Sequence, residues 1–249
     1  MIRRAQMWGL EMSVLPDSER YRPGMLRQLA RLRASIAAGM PRRGWKVGIN
    51  VPEVLQKAGL SHSGVGWLDG HRVLGSGATI TAPVASRLHV EPEIALHIGS
   101  AISPTDASDA IRASISGVSP ALELVDYALP ARDFDAIVES SMFHHASVLG
   151  ETHPLAALLP MGADWPRLVV DGAASPAPRG DLVPADPVEL LRFVALFLAE
   201  YGEALAPGDL VLSGSFCPVA VPLGIGGIGG IARAEYGPLG EVEIRRGAS

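Results

Sequence analysis

Short apolar runs, rich in β-branched residues and separated by glycine and proline turns, dominate this chain. Runs of this length, bounded by turn residues, are typical of strands in a compact sheet. Strands are predicted at residues 44–50, 80–84, 90–98, 121–127, 148–150, 167–170, 210–212, 230–235 and 240–245.

Helical periodicity is confined to a few segments. Residues 24–38 carry apolar side chains at three- and four-residue spacing, and a glycine and a proline end the pattern. Asp186, Pro187 and Glu189 form a helix start, and that helix is predicted to reach Ala204. Shorter helices are predicted at 52–59 and 105–116. Many strands with few helices indicate an α+β fold that is rich in strands.

Two carboxylates lie two residues apart within one predicted strand. Glu91 and Glu93 flank Pro92, and side chains at positions i and i+2 of a strand point to the same face. Two carboxylates at such a short distance repel each other unless a cation or a proton lies between them. A proline inside a strand also implies an edge or an irregular ladder. The alternative is a half-solvated strand that shows its polar face to water.

A third carboxylate favours the cation. Glu123 is embedded in the apolar run 121–125, and burying a lone carboxylate costs several kcal/mol unless it is paired or binds a metal. Three carboxylates on two strands are enough to hold one Mg²⁺ or Mn²⁺ and to leave coordination positions open for substrate and water. The sequence therefore predicts a metal site formed by Glu91, Glu93 and Glu123.

Composition narrows the class of protein. The chain has 249 residues, of which 48% are hydrophobic and 19% charged, and its formal net charge is −5. Nothing in this balance suggests a nucleic-acid or membrane partner. A single cysteine, Cys217, excludes an internal disulfide framework and is expected to be a small buried side chain. No signal peptide or membrane span is apparent, so a cytoplasmic protein is expected.

The glycine-rich segment 224–229 matches the spacing of a dinucleotide-binding loop. Such a loop must be followed by a helix and by an acidic residue about twenty positions later. Residues 231–237 read as a strand and a turn instead. The glycines are therefore expected to serve a tight backbone turn, and nucleotide binding is not predicted.

Four segments, in order, carry a family resemblance: GWKVG at 44–48, VEPEIA at 90–95, PALELVD at 120–126 and GDLVLSGS at 208–215. Together they resemble the 2-hydroxypenta-2,4-dienoate hydratase/4-oxalocrotonate decarboxylase family of the fumarylacetoacetate hydrolase superfamily. The resemblance runs from about residue 42 to the C-terminus. It implies a rolled, mixed β-sheet core with flanking helices. Residues 1–41 are then expected to form a short N-terminal helical region, and 42–249 the catalytic domain.

The resemblance also implies roles for individual residues. Lys46 is expected to be an active-site residue that binds the substrate carboxylate or moves a proton, Asp69 an acid or base, and Ser215 a substrate-binding residue. A snorkelling Lys46 and a turn aspartate at 69 are the structural alternatives.

The implied activity is metal-dependent hydration of a 2-hydroxydienoate or 2-oxoalkenoate through a stabilised enolate. The same metal site serves 2-oxo acid decarboxylation, and a non-catalytic binding subunit that keeps the fold is the further alternative. A small anionic substrate and a homo-oligomer are expected.

The chain departs from the family at two segments. An Asp-Ser-Arg-like tripeptide is replaced by Asp126, Tyr127 and Ala128, so the arginine is absent. A polar segment is replaced by residues 139–145, which end in His144 and His145. One of these two histidines is expected to face the carboxylates, and His145 is the candidate catalytic residue. Both being structural is the alternative.

Overall fold

The computed structural model describes residues 15–129, 131–158, 166–184, 186–224 and 229–248. Its helices are α1 (Ser18–Ala37), α2 (Pro52–Ala58), α3 (Ser108–Ala113), α4 (Phe134–Glu139) and α5 (Pro187–Ala199). Its strands are β1 (Arg42–Gly48), β2 (Gly64–Asp69), β3 (Val73–Gly75), β4 (Ala78–Ile80), β5 (Leu88–Ile98), β6 (Ile115–Asp126), β7 (His144–Leu149), β8 (Arg167–Val170), β9 (Ala173–Ala174), β10 (Leu210–Leu212), β11 (Val221–Pro222), β12 (Gly230–Glu235) and β13 (Glu241–Arg246).

The strands form two sheets. The larger sheet has the order β2-β1-β10-β5-β6-β7-β3, and β11 pairs with β5 further along the same side as β10. The smaller sheet has the order β4-β13-β12-β8-β9. Antiparallel pairs predominate, but β1 with β10, β3 with β7 and β4 with β13 are parallel. This mixed, strand-rich arrangement with few helices confirms the predicted α+β class.

Both the strand and the helix predictions needed correction, since strands β2, β3, β9 and β11 were not predicted and β4 ends at Ile80, where a strand was expected to begin. Helix α1 begins at Ser18, six residues before the predicted start, and contains Pro23. Burial of its apolar face overrides the cost of the proline, since Tyr21, Met25 and Leu29 are at most 1% exposed. Helix α5 starts as predicted, with the Asp186 carboxylate accepting a hydrogen bond from the Val188 amide, but it ends five residues before the predicted end at 204.

Helix α1 and the sheets share one hydrophobic core. The buried side chains of α1 belong to the same cluster as Trp45 and Val47 of β1, Leu122 and Leu124 of β6, and the apolar face of α5. The division at residue 41 stays a prediction, and residues 1–14 lie outside the described residues.

Pro92 lies at a gap in the ladder. On one side β5 pairs continuously with β6, whereas on the other side β10 pairs with residues 95–97 and β11 with residues 89–90. Pro92 falls between these two partners, where its missing N–H breaks no ladder hydrogen bond. Its carbonyl accepts a hydrogen bond from the amide of Phe216, in the loop that joins β10 to β11. The proline therefore marks an irregular ladder, as predicted, and this gap lies beside the carboxylates.

The glycine-rich loop is followed by strand β12, as predicted, and not by a helix; residues 225–228 of that loop lie outside the described residues. Within the described part of the chain, every helix is too short or too polar to cross a membrane.

Candidate metal centre and active site

Three carboxylates from β5 and β6 converge on one point. Glu91 lies directly opposite Glu123 in the antiparallel register, and Glu93 follows Glu91 on the same face of β5. One oxygen from each of the three side chains lies within 4.8 Å of the others. Glu93 and Glu123 are fully buried, whereas Glu91 is only partly buried. The strand spacing that suggested this cluster therefore places the three groups together.

The hydrogen bonding of the cluster fits a divalent cation. Glu93 Oε2 accepts a hydrogen bond from the Gly214 amide at 2.9 Å, but Glu93 Oε1 has no partner. Glu123 Oε2 is also buried without a partner. Buried acceptors are normally satisfied, so two unpaired carboxylate oxygens in one cluster call for a positive ligand. An all-oxygen donor set of this kind suits Mg²⁺ or Mn²⁺.

Lys46 supplies the one ammonium group in direct contact with the cluster among the described residues. Its Nζ lies 2.7 Å from Glu123 Oε1, and both side chains are almost completely buried. Strand β1 reaches β5 through β10, with Lys46 opposite Leu212 and Leu212 opposite Ala95, so that Lys46 shares the face of the carboxylates. Burial lowers the pKa of Lys46, but the three carboxylates outweigh it and raise that pKa overall, so the side chain is charged.

The carboxyl groups respond differently to this setting. Burial and repulsion by Glu123 raise the pKa of Glu91 to about 7. Burial, and then the nearby Glu123 charge, also hold the pKa of Glu93 well above its usual range. Burial also raises the pKa of Glu123, but the charge of Lys46 and the hydrogen bond from His144 outweigh burial, so the pKa of Glu123 is lowered overall. Glu123 is therefore the ionised anchor of the cluster, and the other two carboxyl groups hold protons more readily until a cation neutralises them.

His144, and not His145, contacts the carboxylates. Its Nδ1 lies 2.8 Å from Glu123 Oε1, and its buried Nε2 has no partner. The reason is a register shift, because β7 pairs Ala146 with Leu124 but His144 with Val125. This bulge inserts one residue and reverses the alternation, so His144 takes the face that His145 would occupy in a regular strand. The structure therefore brings His144, and not His145, to the carboxylates, and a catalytic role for His145 stays a prediction.

His145 and Asp69 lie elsewhere, beside Arg72. The Asp69 carboxylate accepts a hydrogen bond from the His71 amide at 2.9 Å, and Arg72 donates to the His145 carbonyl at 3.1 Å. Both side chains line a second cavity of about 400 Å³, which His144 also borders. The structure does not bring Asp69 to the carboxylates, because it pairs with Arg42, four residues before Lys46 on the neighbouring strand.

Ser215 is engaged in its own turn. Its hydroxyl donates to the Cys217 carbonyl and accepts from the Cys217 amide, at 2.9 and 3.1 Å. Ser215 does not line the cavity beside the carboxylates. Cys217 is buried, as expected.

A cavity of about 330 Å³ opens next to the carboxylates and is bordered by Lys46 and Glu91. His89 and Tyr127 line it, with ring centroids 4.7 Å apart, and Phe143 packs edge-on against Tyr127 at 5.1 Å. Sequence reasoning did not assign His89 or Tyr127 to a site. The signal for His89 was present, because it precedes Glu91 by two residues and therefore shares its strand face.

The chain is similar in sequence to one known protein family. A model of the fumarylacetoacetate (FAA) hydrolase C-terminal family matches residues 45–238. The chain belongs to this family. The resemblance inferred from the four sequence segments is thereby confirmed.

Relatives within the fumarylacetoacetate hydrolase family include several kinds of enzyme. A 2-hydroxyhexa-2,4-dienoate hydratase of Comamonas testosteroni is 25% identical over 202 residues, covering 78% of this chain and 75% of the relative. A structure of 4-oxalocrotonate decarboxylase from Pseudomonas putida G7, complexed with magnesium and adipate, has a TM-score of 0.78 at 20% identity and covers 88% and 83% of the two chains.

A fumarylpyruvate hydrolase of Pseudomonas aeruginosa, in complex with Mn²⁺ and pyruvate, has a TM-score of 0.64 at 18% identity and covers 84% and 91% of the two chains. The structural matches show the shared fold.

A strained segment leads into His144. Ser141, Met142 and Phe143 all have positive φ, at 53°, 53° and 66°. Left-handed backbone costs a residue with a side chain roughly 1–2 kcal/mol, so three in succession need external support. Backbone hydrogen bonds from Ser141 and Met142 to α4 provide some of it, at 3.0 and 2.9 Å. Ser141 lines the larger cavity, Met142 and Phe143 line the cavity beside the carboxylates, and the segment leads directly into His144.

Proposed function

We propose that this protein is a divalent-metal-dependent lyase, a hydratase that adds water to a 2-hydroxydienoate or the 2-oxoalkenoate in equilibrium with it. One observation carries the proposal. Three carboxylates with two unpaired oxygens lie beside the buried Lys46 ammonium, at the wall of a cavity of about 330 Å³. Of the relatives compared, the hydratase from Comamonas testosteroni supports this reaction class.

Glu91, Glu93 and Glu123 are the residues that would hold Mg²⁺ or Mn²⁺. When bound, the cation supplies positive charge that stabilises the negative charge developing on the 2-oxo oxygen as the enolate forms. Of the three carboxylates, Glu91 lines the cavity, so a substrate in the cavity would lie beside the residues that would hold the cation.

Lys46 would bind the substrate's carboxylate and keep its own proton while doing so. Lys46 lines the cavity, and its ammonium group is held by Glu123, whose attraction helps to raise the pKa of Lys46. A fixed ammonium group orients an anionic substrate at the carboxylate cluster and so lowers the entropic cost of reaching a reactive geometry. The 2-hydroxydienoate first ketonises, losing the proton of its enol hydroxyl and gaining one at the far alkene carbon. Water then adds to the resulting 2-oxoalkenoate, with its proton on the carbon next to the 2-oxo group and its hydroxyl on the following carbon.

His144 would act as a positioning residue for Glu123. Lys46 and His144 both contact Oε1, which leaves the buried Oε2 without a hydrogen-bond partner. Removing the imidazole would let the Glu123 carboxylate rotate. Roles for Asp69 and Ser215 stay predictions from the resemblance.

The test combines metal binding and turnover. Chelator-treated protein is titrated with Mg²⁺ and Mn²⁺ by calorimetry and then assayed with 2-hydroxypenta-2,4-dienoate, with the 4-hydroxy-2-oxo acid product identified by NMR. Glu123→Gln should weaken metal binding, whereas Lys46→Met should reduce turnover by orders of magnitude and leave metal binding in place. Glu235→Gln, at an exposed carboxylate on β12, is the matched control.

The outcomes separate the alternative functions. Release of CO₂ from 2-oxo diacids without hydration of the dienoate would replace the hydratase by a decarboxylase. Stoichiometric metal binding without turnover of any 2-oxo or 2-hydroxydienoic acid would indicate a binding subunit. Absence of metal binding would overturn the proposal.

A further inference from the structure

The cavity beside the carboxylates is charged at one end and apolar along the rest of its wall. Lys46 and Glu91 mark the charged end. Among the described residues that line it, Lys46 is the only lysine or arginine. Aliphatic side chains form most of the remaining wall, among them Ile49, Val51, Val54, Ile137, Met142 and Val219.

Two of these aliphatic residues lie at the mouth. Val54 on α2 is 47% exposed, and Val219 in the loop between β10 and β11 is 63% exposed. Single exposed valines are ordinary, but these two border the same cavity from different elements. A ligand whose outer end is apolar would cover both.

We propose that the cavity takes a 2-oxo acid, or its dienol, with an uncharged apolar tail, and that Val54 and Val219 set this preference. The inference rests on the proposed function for the position of the acid end. With that end at Lys46, the opposite end of the ligand lies against aliphatic walls and the mouth.

A second carboxylate on the tail would be poorly accommodated. Burying a carboxylate without a cationic partner is strongly unfavourable, and Lys46, the only lysine or arginine among the described residues that line the cavity, would already bind the first carboxylate. His89 and Tyr127 supply hydrogen-bonding groups at the side wall but no fixed positive charge. A diacid should therefore bind at least about tenfold more weakly than a monoacid of the same length.

The size of the cavity allows a tail longer than that of the smallest dienoate. Its volume of about 330 Å³ equals that of about eleven water molecules at about 30 Å³ each. A five-carbon 2-oxo acid has about eight heavy atoms, so space for a few more carbons is left. Each additional buried methylene should tighten binding about fourfold until the mouth is reached.

The experiment compares 2-oxohexanoate with 2-oxoadipate, which have the same carbon number and differ in the charge of the far end. Binding to the Mg²⁺-loaded protein is measured by calorimetry, so the result does not depend on turnover. We expect 2-oxohexanoate to bind at least about tenfold more tightly. We also expect 2-oxoheptanoate to bind more tightly than 2-oxopentanoate.

Val219→Lys places a cation at the exposed mouth and should shift the ratio of the two affinities toward the diacid by about two- to fivefold. Val84→Lys is the matched control, because Val84 is 62% exposed and does not line the cavity. Denaturant unfolding checks that both variants are folded.

Two results would overturn the inference. One is 2-oxoadipate binding as tightly as 2-oxohexanoate to the parent. The other is the same ratio of affinities for 2-oxohexanoate and 2-oxoadipate in the Val219→Lys and Val84→Lys variants. Selective binding of monoacids without hydration would instead refute the proposed function and keep the inference. If neither acid binds the metal-loaded protein, both fail.

Discussion

The strained segment 141–143 packs against Gly66, whose missing side chain leaves room for it. Gly66 lies on β2 directly opposite Lys46. A Cβ added at Gly66 would lie 2.7 Å from Ser141 Cβ, 3.0 Å from Ser141 Cα and 3.1 Å from Met142 Cε. The first of these distances is shorter than carbon atoms tolerate, so the Gly66→Ala substitution must displace the segment or the strand.

Displacing the segment 141–143 should cost free energy, because backbone hydrogen bonds hold it in place. Ser141 and Met142 donate backbone hydrogen bonds to α4, and the His144 amide donates to the Ser141 carbonyl at 3.3 Å. Overpacking of this kind typically costs about 1–3 kcal/mol. For a chain of this length that corresponds to a fall in Tm of roughly 2–6 °C. Movement of the segment should also lengthen the contact between His144 and Glu123, and so reduce kcat more than the loss of stability alone explains.

The assay is thermal and urea unfolding of Gly66→Ala, with kcat and KM measured below the transition. Gly75→Ala is the control, because its added Cβ meets nothing within 4 Å and it lies in the same sheet. A second variant tests the mechanism, since Ser141→Gly removes the Cβ in the closest contact and suits the positive φ at that position.

The double variant Gly66→Ala with Ser141→Gly should recover most of the stability lost by Gly66→Ala alone. If Gly66→Ala is as stable and active as Gly75→Ala, or if Ser141→Gly gives no rescue, the account of this segment is wrong.

Three further predictions follow from the site. Because the pKa of Glu91 is about 7 in the metal-free fold against 4.5 in the unfolded chain, the fold binds more protons, and its stability should fall by up to about 3 kcal/mol as the pH rises from 4.5 to 7. Urea unfolding of chelated protein across this range checks the decrease, and added Mg²⁺ should remove it. His144→Ala should lower kcat by about tenfold or more, whereas His145→Ala should stay near the parent; steady-state kinetics of both variants would reverse the assignment if only His145→Ala loses activity. Asn50→Asp should destabilise by about 2–3 kcal/mol, because the buried Asn50 amide donates to two backbone carbonyls that a carboxylate would repel; unchanged urea unfolding would contradict this.

The pairing of Glu91 with Glu93 could be predicted because it depends on strand alternation alone, whereas the position of Glu123 also depends on the register between β5 and β6. Glu91 and Glu93 share a face whatever the neighbouring strands are, and a carboxylate in an apolar run such as that of Glu123 needs a positive partner. Contact between Lys46 and Glu123 is different, because it depends on β10 lying between β1 and β5. That strand order joins elements far apart in the chain, and it was the family resemblance, not the residue pattern, that suggested an active-site role for Lys46.

The choice between His144 and His145 could not be made from alternation, because the bulge in β7 reverses it. The bulge follows three residues of left-handed backbone, which local preferences disfavour in serine, methionine and phenylalanine. What stabilises them is supplied by other parts of the chain, since Gly48 and Gly66 leave the space that Met142 and Ser141 fill.

A glycine inside a strand ordinarily weakens the strand, and the sequence alone does not show why Gly48 and Gly66 are needed at their positions. The direction of His144 is therefore determined by two glycines at least 70 residues before it, and no local pattern could have revealed it.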